Sequence, residues 1–447
     1  MNDLNEFDTT DELVVTICTE DRWFNPWLYA KGGGLQALLD RFKHGVVKHE
    51  EITKARERKR RPDDAGTFEK VVEAIVANLA LACLDPPPEG ARIAIPLRKG
   101  TRRNRYENPE LSTRTIRNVI EKMSEFDALS LSLGAYRRGT TTIFPTEWFA
   151  NRVREWGVTF DDFGRRQSEE VIILKRKSKK EEDGWTFDDE ATWVDYNDTE
   201  TTDGFRTDLR ALNRFLEAAD LEFLDDGQEP IVNTRDRRLK RYFTVFKDGG
   251  ETFDRSGRLF GGWWLNLKKE RRRNIRIQSE PVAILDYASM FGRLAYARLG
   301  LQAPEGDLYD LTGLLRGYDT KNKNHRDGVK KVFNALIFGG GRENRLPQGA
   351  RELLPPKVSI AEVRDAIIAR HPDLQPLFGT KVGFKLMFQE SQVLLRALAL
   401  LMGQGIVGLP LHDGLMVAES CADQTCKAMT QASKEVTGFA LPVEIKN

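Results

Sequence analysis

Two aspartates stand next to apolar runs that predict buried strands. Asp286 ends the run 282–285, and Asp413 lies in a His-Asp-Gly turn at the tip of a predicted β-hairpin over 408–417. Carboxylate oxygens are ligands that magnesium prefers, and the end of a strand holds them rigidly. The two residues are far apart in the sequence, so only the fold can unite them. A united pair can hold two magnesium ions that activate a hydroxyl group and stabilise a departing pyrophosphate.

A predicted helix over 325–338 lies between the two aspartates. Arg326, Lys330, Asn334 and Phe338 are spaced by four, so they share one broad face of that helix. Arg326 and Lys330 can present two adjacent cations to a triphosphate, whose oxygens gain negative charge as the α-phosphorus is attacked. Phe338 can stack on a base or a sugar. The glycines at 339–341 then end the helix and permit the close approach of another chain.

As an ordered set, these segments resemble motifs A, B and C of the family A DNA polymerases and the related single-subunit RNA polymerases. The resemblance covers about residues 250–420. It lies in Asp286, Tyr287, Ala288 and Arg293 for motif A, Arg326, Lys330, Phe338 and Gly339 for motif B, and His412, Asp413 and Gly414 for motif C. Two further segments resemble the same family, namely Gly257-Arg258-Leu259 before motif A and Phe388-Gln389-Glu390-Ser391 at the start of an apolar helix before motif C.

The resemblance implies an enzyme that adds nucleotides from nucleoside triphosphates to the 3′-hydroxyl of a primer on a nucleic-acid template. It implies two Mg²⁺ ions bound by Asp286 and Asp413, with Lys330 as a further catalytic residue that shares the triphosphate with Arg326. Contact with DNA is implied for Gln389. Other contacts with the substrates, including the positioning of the primer end, are implied for Phe338, Phe291, Tyr287, His412 and Arg258.

Three positions depart from the family pattern. Phe291 stands where the DNA polymerases carry a glutamate that blocks a ribose 2′-hydroxyl and where the RNA polymerases carry glycine. Phe338 replaces a tyrosine and lacks the hydroxyl that can bond a ribose. Both aromatic residues therefore favour deoxynucleotides. Gly414 replaces a glutamate, so a third carboxylate is missing from motif C, and we expect a lower rate or a weaker affinity for metal. No segment resembles the proofreading exonuclease of the family.

The segment 66–150 has the order of elements that is typical of a winged helix-turn-helix domain. Helices are predicted over 68–84 and 114–126, and a hairpin over 128–144 carries Arg137 and Arg138 at its tip. In such domains one helix enters the major groove and the wing contacts the backbone. Arg114, Arg117, Arg137 and Arg138 are the candidate nucleic-acid contacts, with Lys122 expected on the same outer side of the helix. The alternative is a domain that contacts only proteins.

Composition excludes several other classes of protein. The 447 residues are 40% hydrophobic and 31% charged, with a net charge of +1, so the basic clusters at 54–61, 98–105, 235–241 and 268–276 are local. Local basic patches suit a polyanion, although each is also compatible with a solvated helix face. There is no apolar run of membrane-spanning length, and we expect neither a membrane span nor a secretory signal. Four cysteines without neighbouring histidines give little support to zinc, and a reducing cytoplasmic setting fits best.

The expected organisation is an α+β fold of several parts. We expect an N-terminal region without an assigned role (1–65), the winged helix (66–150), a polar linker or insertion (151–204) and a polymerase core (205–447). Within the core, a right-hand arrangement would place a reduced thumb at 205–245, the palm at 246–300 and 385–447, and the fingers at 301–384.

A DNA polymerase is the function that the sequence favours. Within the same class, a single-subunit RNA polymerase or a primase is the alternative. From a different class comes a DNA-binding replication or plasmid-maintenance factor whose palm is catalytically inactive, and a chance resemblance in an unrelated regulatory protein ranks below it. The type of template, the biological role and the oligomeric state are open at this point.

Overall fold

The protein is described here by a computed structural model of residues 21–56, 58–97, 105–134, 140–176, 192–246, 250, 252–340 and 345–446. The described chain is a mixed α+β fold that divides into two compact units, Met1–Glu169 and Glu170–Asn447. The predicted wing tip with Arg137 and Arg138 lies outside the described residues. Within those residues, every helix is too short or too polar to cross a membrane.

The first unit packs helices on a small sheet. The strands run in the order β1-β3-β5-β4, with β1 parallel to β3 and the other pairs antiparallel, and β2 pairs separately with β6. The elements are β1 (Arg22–Trp23), β2 (Leu28–Ala30), α1 (Gly33–Ile52), α2 (Pro62–Leu84), β3 (Ile93–Ile95), α3 (Thr113–Glu125), β4 (Leu129–Ser132), β5 (Thr141–Pro145), α4 (Glu147–Glu155) and β6 (Phe163–Arg165).

One hydrophobic core joins the N-terminal helix to the segment with the winged-helix pattern. The apolar positions of α1 recur every three or four residues, so Leu35, Leu38 and Phe42 form a stripe that is buried together with α2, α3 and β5. The expected division near residue 65 therefore differs from the structure. Helix α1 lies in the same unit as residues 66–150, and Pro62 begins α2, where its missing N–H costs nothing.

Lys122 corrects one expectation for α3. We expected this residue on the outer side of the helix, but it is buried and forms an ion pair with the buried Glu50 of α1, which also accepts two hydrogen bonds from Arg60. The other two basic residues, Arg114 and Arg117, are exposed. The pair between Lys122 and Glu50 satisfies two charges that would be costly to bury alone.

Among the described residues, the second unit contains two sheets and most of the helices. One sheet has the order β11-β10-β7-β8, and the other has the order β14-β15-β13-β12-β9, with β16 also paired to β13. The elements are β7 (Ile172–Arg176), β8 (Thr192–Trp193), α5 (Glu200–Ala218), β9 (Leu221–Phe223), β10 (Leu239–Val245), β11 (Ser256–Gly261), β12 (Ile275–Ile277), β13 (Glu280–Tyr287), α6 (Met290–Arg298), α7 (Lys323–Phe338), α8 (Ile360–Arg370), α9 (Gly383–Gly403), β14 (Leu409–Pro410), β15 (Gly414–Ala418), α10 (Ala422–Thr437) and β16 (Val443–Lys446).

The first sheet of this unit crosses two of the expected boundaries. Strand β7 comes from the expected linker and pairs in parallel with β10, and β10 pairs with β11. The expected linker therefore supplies a strand, and the expected thumb and palm share a sheet. The physical reason is burial, since Ile172, Leu239 and Phe243 are all fully buried in this sheet.

Arg241 joins this sheet to helix α9. Its buried guanidinium donates to the Gly257 carbonyl at 2.9 Å and to the Ser391 hydroxyl at 2.8 Å. Gly257 has a φ of +81°, and a Cβ there would lie 2.8 Å from Ser391 Oγ. Only glycine therefore permits β11 to approach α9 so closely, and this contact places the following residue, Arg258, at the candidate site.

Candidate active site

Strand pairing brings Asp286 and Asp413 together. Strands β13 and β15 are antiparallel, and their register places Asp286 opposite Gly414. The backbone N–H of Tyr287 donates to the carbonyl oxygen of Asp413 at 3.4 Å, so the two aspartates lie at the same end of the strand pair. Two carboxylates separated by more than a hundred residues in the sequence thus become neighbours.

The carboxylate of Asp286 is held by one cation and is otherwise unsatisfied. Its side chain is 14% exposed, and Oδ2 accepts a hydrogen bond from Lys446 at the end of β16. Oδ1 is buried and has no hydrogen-bond partner within the described chain. Burial and then the charge of Asp413 raise the pKa of Asp286, while Lys446 and Lys330 lower it. Asp413 is therefore close enough to Asp286 for like-charge repulsion.

These residues fit a magnesium ion. A buried carboxylate oxygen without a partner, beside a second carboxylate, offers the hard oxygen ligands that Mg²⁺ prefers. In the described part of the chain, no group of three or more His, Cys, Asp or Glu side chains could hold a metal ion. Two protein carboxylates with phosphate oxygens and water to complete the shell are nevertheless a common arrangement for Mg²⁺.

The two cations of the motif B helix differ in their surroundings. Lys330 is exposed on α7, has no hydrogen-bond or ion-pair partner among the described residues, and lowers the pKa of Asp286. Arg326 forms two hydrogen bonds with Asp307, at 2.6 Å and 3.1 Å, and its guanidinium lies over the ring of Tyr309. Of these two cations, Lys330 alone is unpaired among the described residues, because the charge of Arg326 is paired with Asp307.

Sequence analysis did not identify Asp307, which lies in a loop without periodicity. This loop is tied to the turn after β13. Arg293 donates to the carbonyl oxygens of Ala288 and Gly306, both at 3.0 Å. The arginine of motif A therefore fixes the loop that carries Asp307, and Asp307 in turn orients Arg326 on α7.

Two phenylalanines form an aromatic wall near these charges. The rings of Phe291 on α6 and Phe338 on α7 meet edge to face, with centroids 5.4 Å apart, and both are half-buried. Phe338 also packs against Phe384 at 5.3 Å. A Cβ at Gly383 would lie 2.5 Å from the Phe338 ring, so the glycine at the start of α9 makes room for it. The two expected pocket residues are thus in contact.

Arg258 lies beside this wall, and His412 is close enough to Arg258 to be affected by its charge. The guanidinium of Arg258 is 5.6 Å from the centre of the Phe291 ring and is bonded to Glu390, a residue that the sequence had not singled out as functional. His412 keeps a solvent-exposed part, and its ring is 5.9 Å from that of Phe260. Partial desolvation and then the positive charge of Arg258 lower the pKa of His412. The imidazole is therefore largely neutral near pH 7.

Tyr287 is a correction, because it does not reach this site. Its side chain is buried, and its hydroxyl donates to the carbonyl oxygen of Met429 in α10 at 2.7 Å. Neighbouring residues of a strand point to opposite faces, so Tyr287 faces away when Asp286 faces the site. Gln389 is half-buried on α9 and makes no hydrogen bond within the described chain. It lies one residue from Glu390 but has no contact that assigns it a role.

The candidate nucleic-acid contacts of the first unit lie on α3. Ile116, Val119 and Ile120 are buried on one side of this helix, and Arg114 and Arg117 are exposed on the other. Neither arginine has an ion-pair partner within the described residues. This side of α3 is therefore a solvent-exposed cationic surface.

Comparison with known proteins gives only distant likenesses to solved structures. No protein-family model matches the chain, and no curated protein matches it. Among solved structures, the POL domain of Pol1 from M. smegmatis, in complex with a DNA primer-template and dNTP, is similar at a TM-score of 0.32 and 10% sequence identity. The match covers 94% of this chain and 66% of that chain, so this chain spans about two thirds of its length. A TM-score this low establishes no shared fold, and no property of this chain is inferred from it.

Proposed function

We propose that this protein is a template-directed nucleotidyltransferase, and specifically a DNA polymerase that adds deoxynucleotides to a primer 3′-hydroxyl with two Mg²⁺ ions. The observation that carries the proposal is the meeting of Asp286 and Asp413 at one end of β13 and β15, with a buried Asp286 oxygen that has no partner. The surrounding cations and aromatic rings are the groups that a nucleoside triphosphate requires.

Each residue has a role that follows from its surroundings. Asp286 and Asp413 would hold the metal, which would supply Lewis-acid stabilisation of the charge on the reacting phosphates. Lys330 is free to attract the triphosphate. Asp307 holds Arg326 in one orientation at the same site. The negative charge of Asp307 also reduces the net positive charge that Arg326 presents to the triphosphate. His412, with its lowered pKa, can accept or donate one hydrogen bond to the primer end without adding charge.

The aromatic wall supports deoxynucleotides as substrates. Phe291 and Phe338 are in contact, and neither side chain carries a polar group that could bond a 2′-hydroxyl. A buried hydroxyl without a partner is costly, so a ribonucleotide is disfavoured there. In this proposal α6, β13 and β15 correspond to a palm and α7 and α8 to fingers, as in a right-hand polymerase.

The first unit is proposed to bind the DNA. The exposed arginines of α3 can contact phosphates or base edges, as the second helix of a winged helix-turn-helix domain does. The partners are therefore a DNA template with its primer and nucleoside triphosphates.

Primer extension tests the catalytic proposal. Purified protein receives a primed DNA template, Mg²⁺ and either deoxy- or ribonucleotides, and an unprimed template is run in parallel. We expect extension with deoxynucleotides on the primed template only. Asp286→Asn and Asp413→Asn should each lower the rate by roughly a thousandfold or more, since metal stabilisation of the reacting phosphates contributes several kcal/mol.

The matched control is Asp423→Asn, which removes an exposed carboxylate from α10 and should leave extension unchanged. Full activity of either active-site variant would refute the assignment. Preference for ribonucleotides, or synthesis without a primer, would instead favour an RNA polymerase or a primase.

An inactive DNA-binding factor is the second candidate, and two contacts favour it. Lys446 forms an ion pair with Asp286, and Asp307 forms one with Arg326. Both site residues are therefore already paired without a substrate. The same assay decides between the two. A folded protein that binds primed DNA but adds no nucleotide under any of these conditions would be such a factor.

A further inference from the structure

A fully buried carboxylate lies on α9 beside the candidate active site. The Glu390 side chain has no exposed area, and its two oxygens accept hydrogen bonds from Arg258 of β11, at 2.6 Å from Nε and 3.1 Å from Nη2. A buried charge is costly unless a partner compensates it. Arg258 is that partner, and the two bonds form the fork geometry in which arginine and carboxylate pair most strongly.

The pair fixes Arg258 in one orientation. With Nε and Nη2 bonded to Glu390, the remaining nitrogen Nη1 has no hydrogen-bond partner within the described chain. The side chain of Arg258 is 19% exposed, and its guanidinium lies 5.6 Å from the Phe291 ring centre. One donor of a rigid cation is therefore left for a ligand at the wall formed by Phe291 and Phe338.

Glu390 also belongs electrostatically to the pair of aspartates. Burial raises the pKa of Glu390 to about 7, although Arg258 lowers it, and the charges of Asp413 and Asp286 raise it as well. Glu390 thus lies within electrostatic reach of both carboxylates. Motif C has no third carboxylate because Gly414 stands there, whereas α9 supplies one from a different element.

We propose that Glu390 is a positioning residue, which holds the Arg258 guanidinium against Phe291 so that Nη1 donates a hydrogen bond to the incoming nucleoside triphosphate. This inference rests on the proposed function, because it requires a nucleotide at the aromatic wall. Without Glu390, the Arg258 side chain loses both bonds and regains several rotamers. Binding of the nucleotide must then order it again, which weakens affinity and leaves the chemical step itself intact.

Steady-state kinetics and calorimetry of the full chain test the proposal. We expect Glu390→Ala to raise the KM for dATP about tenfold, the equivalent of one charge-assisted hydrogen bond, with little change in kcat. Glu390→Gln keeps one hydrogen-bond acceptor, so its KM for dATP should lie between the values for the wild type and for Glu390→Ala. The double variant Glu390→Ala/Arg258→Ala should bind dATP no more weakly than Arg258→Ala alone, since both substitutions act through the Arg258 guanidinium. Calorimetry with Mg²⁺ and dATP, which needs no turnover, should show the same order of affinities.

The control is Glu435→Gln. Glu435 of α10 is the carboxylate partner of Arg396, which lies on α9 as Glu390 does, and this substitution should leave the KM for dATP unchanged. An unchanged KM in folded Glu390→Ala, or additive losses in the double variant, would overturn the positioning role and leave the polymerase proposal standing. If Glu390→Ala does not fold, the nearly isosteric Glu390→Gln decides, and an unchanged KM there also overturns it. A wild-type protein that neither binds nor incorporates dATP would overturn both proposals.

Discussion

At the scale of single residues, the site depends on charges that are buried close to one another. Asp286 has one oxygen bonded to Lys446 and one without a partner among the described residues, and burial and then the charge of Asp413 raise its pKa. An unsatisfied buried carboxylate costs free energy, and a bound cation recovers that cost. The same argument applies to Glu390, whose pairing with Arg258 offsets only part of the burial cost, so its pKa stays raised.

The raised pKa of Glu390 predicts a dependence of stability on pH. Its pKa is about 7 in the folded chain against an ordinary value of 4.5, so between these pH values the folded chain binds a proton that the unfolded chain has lost. The free energy of unfolding contributed by Glu390 is therefore largest at low pH and falls as pH rises through this window, by about 1.4 kcal/mol per pH unit. Denaturation of wild type and Glu390→Gln at several pH values measures it.

Glutamine does not titrate, so the stability of the wild type relative to Glu390→Gln should decline from pH 4.5 to pH 7. Asp286 titrates in both proteins, and its contribution largely cancels in the comparison. Parallel pH profiles for the two proteins would show that Glu390 has no raised pKa.

Residues inside short local motifs could be predicted from the sequence, whereas the residues that they contact could not. Asp286, Asp413 and Phe338 each stand in a segment whose local pattern indicates a strand end, a turn or a helix face. Glu390 and Lys446 acquire their contacts from residues 132 and 160 positions away in the chain. No local spacing carries that information, so only the folded chain could reveal them.

At the scale of elements, the pairing of β13 with β15 explains why motif C ends in glycine. A Cβ at Gly414 would lie 2.3 Å from the carbonyl oxygen of Leu285 and 3.3 Å from the Cα of Asp286. Backbone atoms in a paired strand cannot move aside cheaply. The missing third carboxylate is therefore a consequence of how closely the two strands approach at the aspartates.

Introducing a glutamate at Gly414, where the DNA polymerases that motif C resembles carry one, should thus do harm. We expect Gly414→Glu and Gly414→Ala each to destabilise the protein by about 1–3 kcal/mol, the usual cost of overpacking. Nucleotide addition should fall as well, because the strand shift separates Asp286 from Asp413. Thermal melting and primer extension measure the two effects. Higher activity in Gly414→Glu would mean that the strands can part and that the carboxylate itself was lacking.

The elements that carry the candidate site followed from local sequence patterns, but their pairing did not. Helices α7 and α9 and the strands around Asp286 and Asp413 lie where the patterns predicted them. Strand β7 lies where we expected a polar linker. Its apolar run, Ile172, Ile173 and Leu174, is short and stands in a polar part of the sequence. Its parallel pairing with β10 is a long-range contact that a run of three apolar residues does not specify.

At the scale of the whole molecule, the chain consists of two compact units with different surfaces. The first unit carries exposed arginines on α3, and the second carries the aspartates, the aromatic wall and the buried Glu390. Binding of nucleic acid and addition of nucleotides are therefore expected to be separable by mutation.

The double variant Arg114→Ala/Arg117→Ala should weaken binding of duplex DNA. If both arginines contact phosphates, the slope of log affinity against log salt should become shallower by about two. Incorporation at saturating DNA should be unchanged. The control is Arg152→Ala/Arg154→Ala on α4, which removes as many positive charges, but from arginines that are paired with Glu155 and Glu147. If both double variants lost DNA affinity equally, the loss would be explained by net charge alone, and a specific role of α3 in DNA binding would be excluded.

The central claim is that Asp286 and Asp413 share catalytic metal ions. The most direct measurement is a crystal of the protein with primed DNA, a non-hydrolysable deoxynucleotide and Mn²⁺, examined by anomalous scattering. We predict anomalous peaks at about 2.1 Å from carboxylate oxygens of both aspartates, with Lys446 displaced from Asp286. An ordered primer and nucleotide with no anomalous peak at either aspartate would contradict the claim.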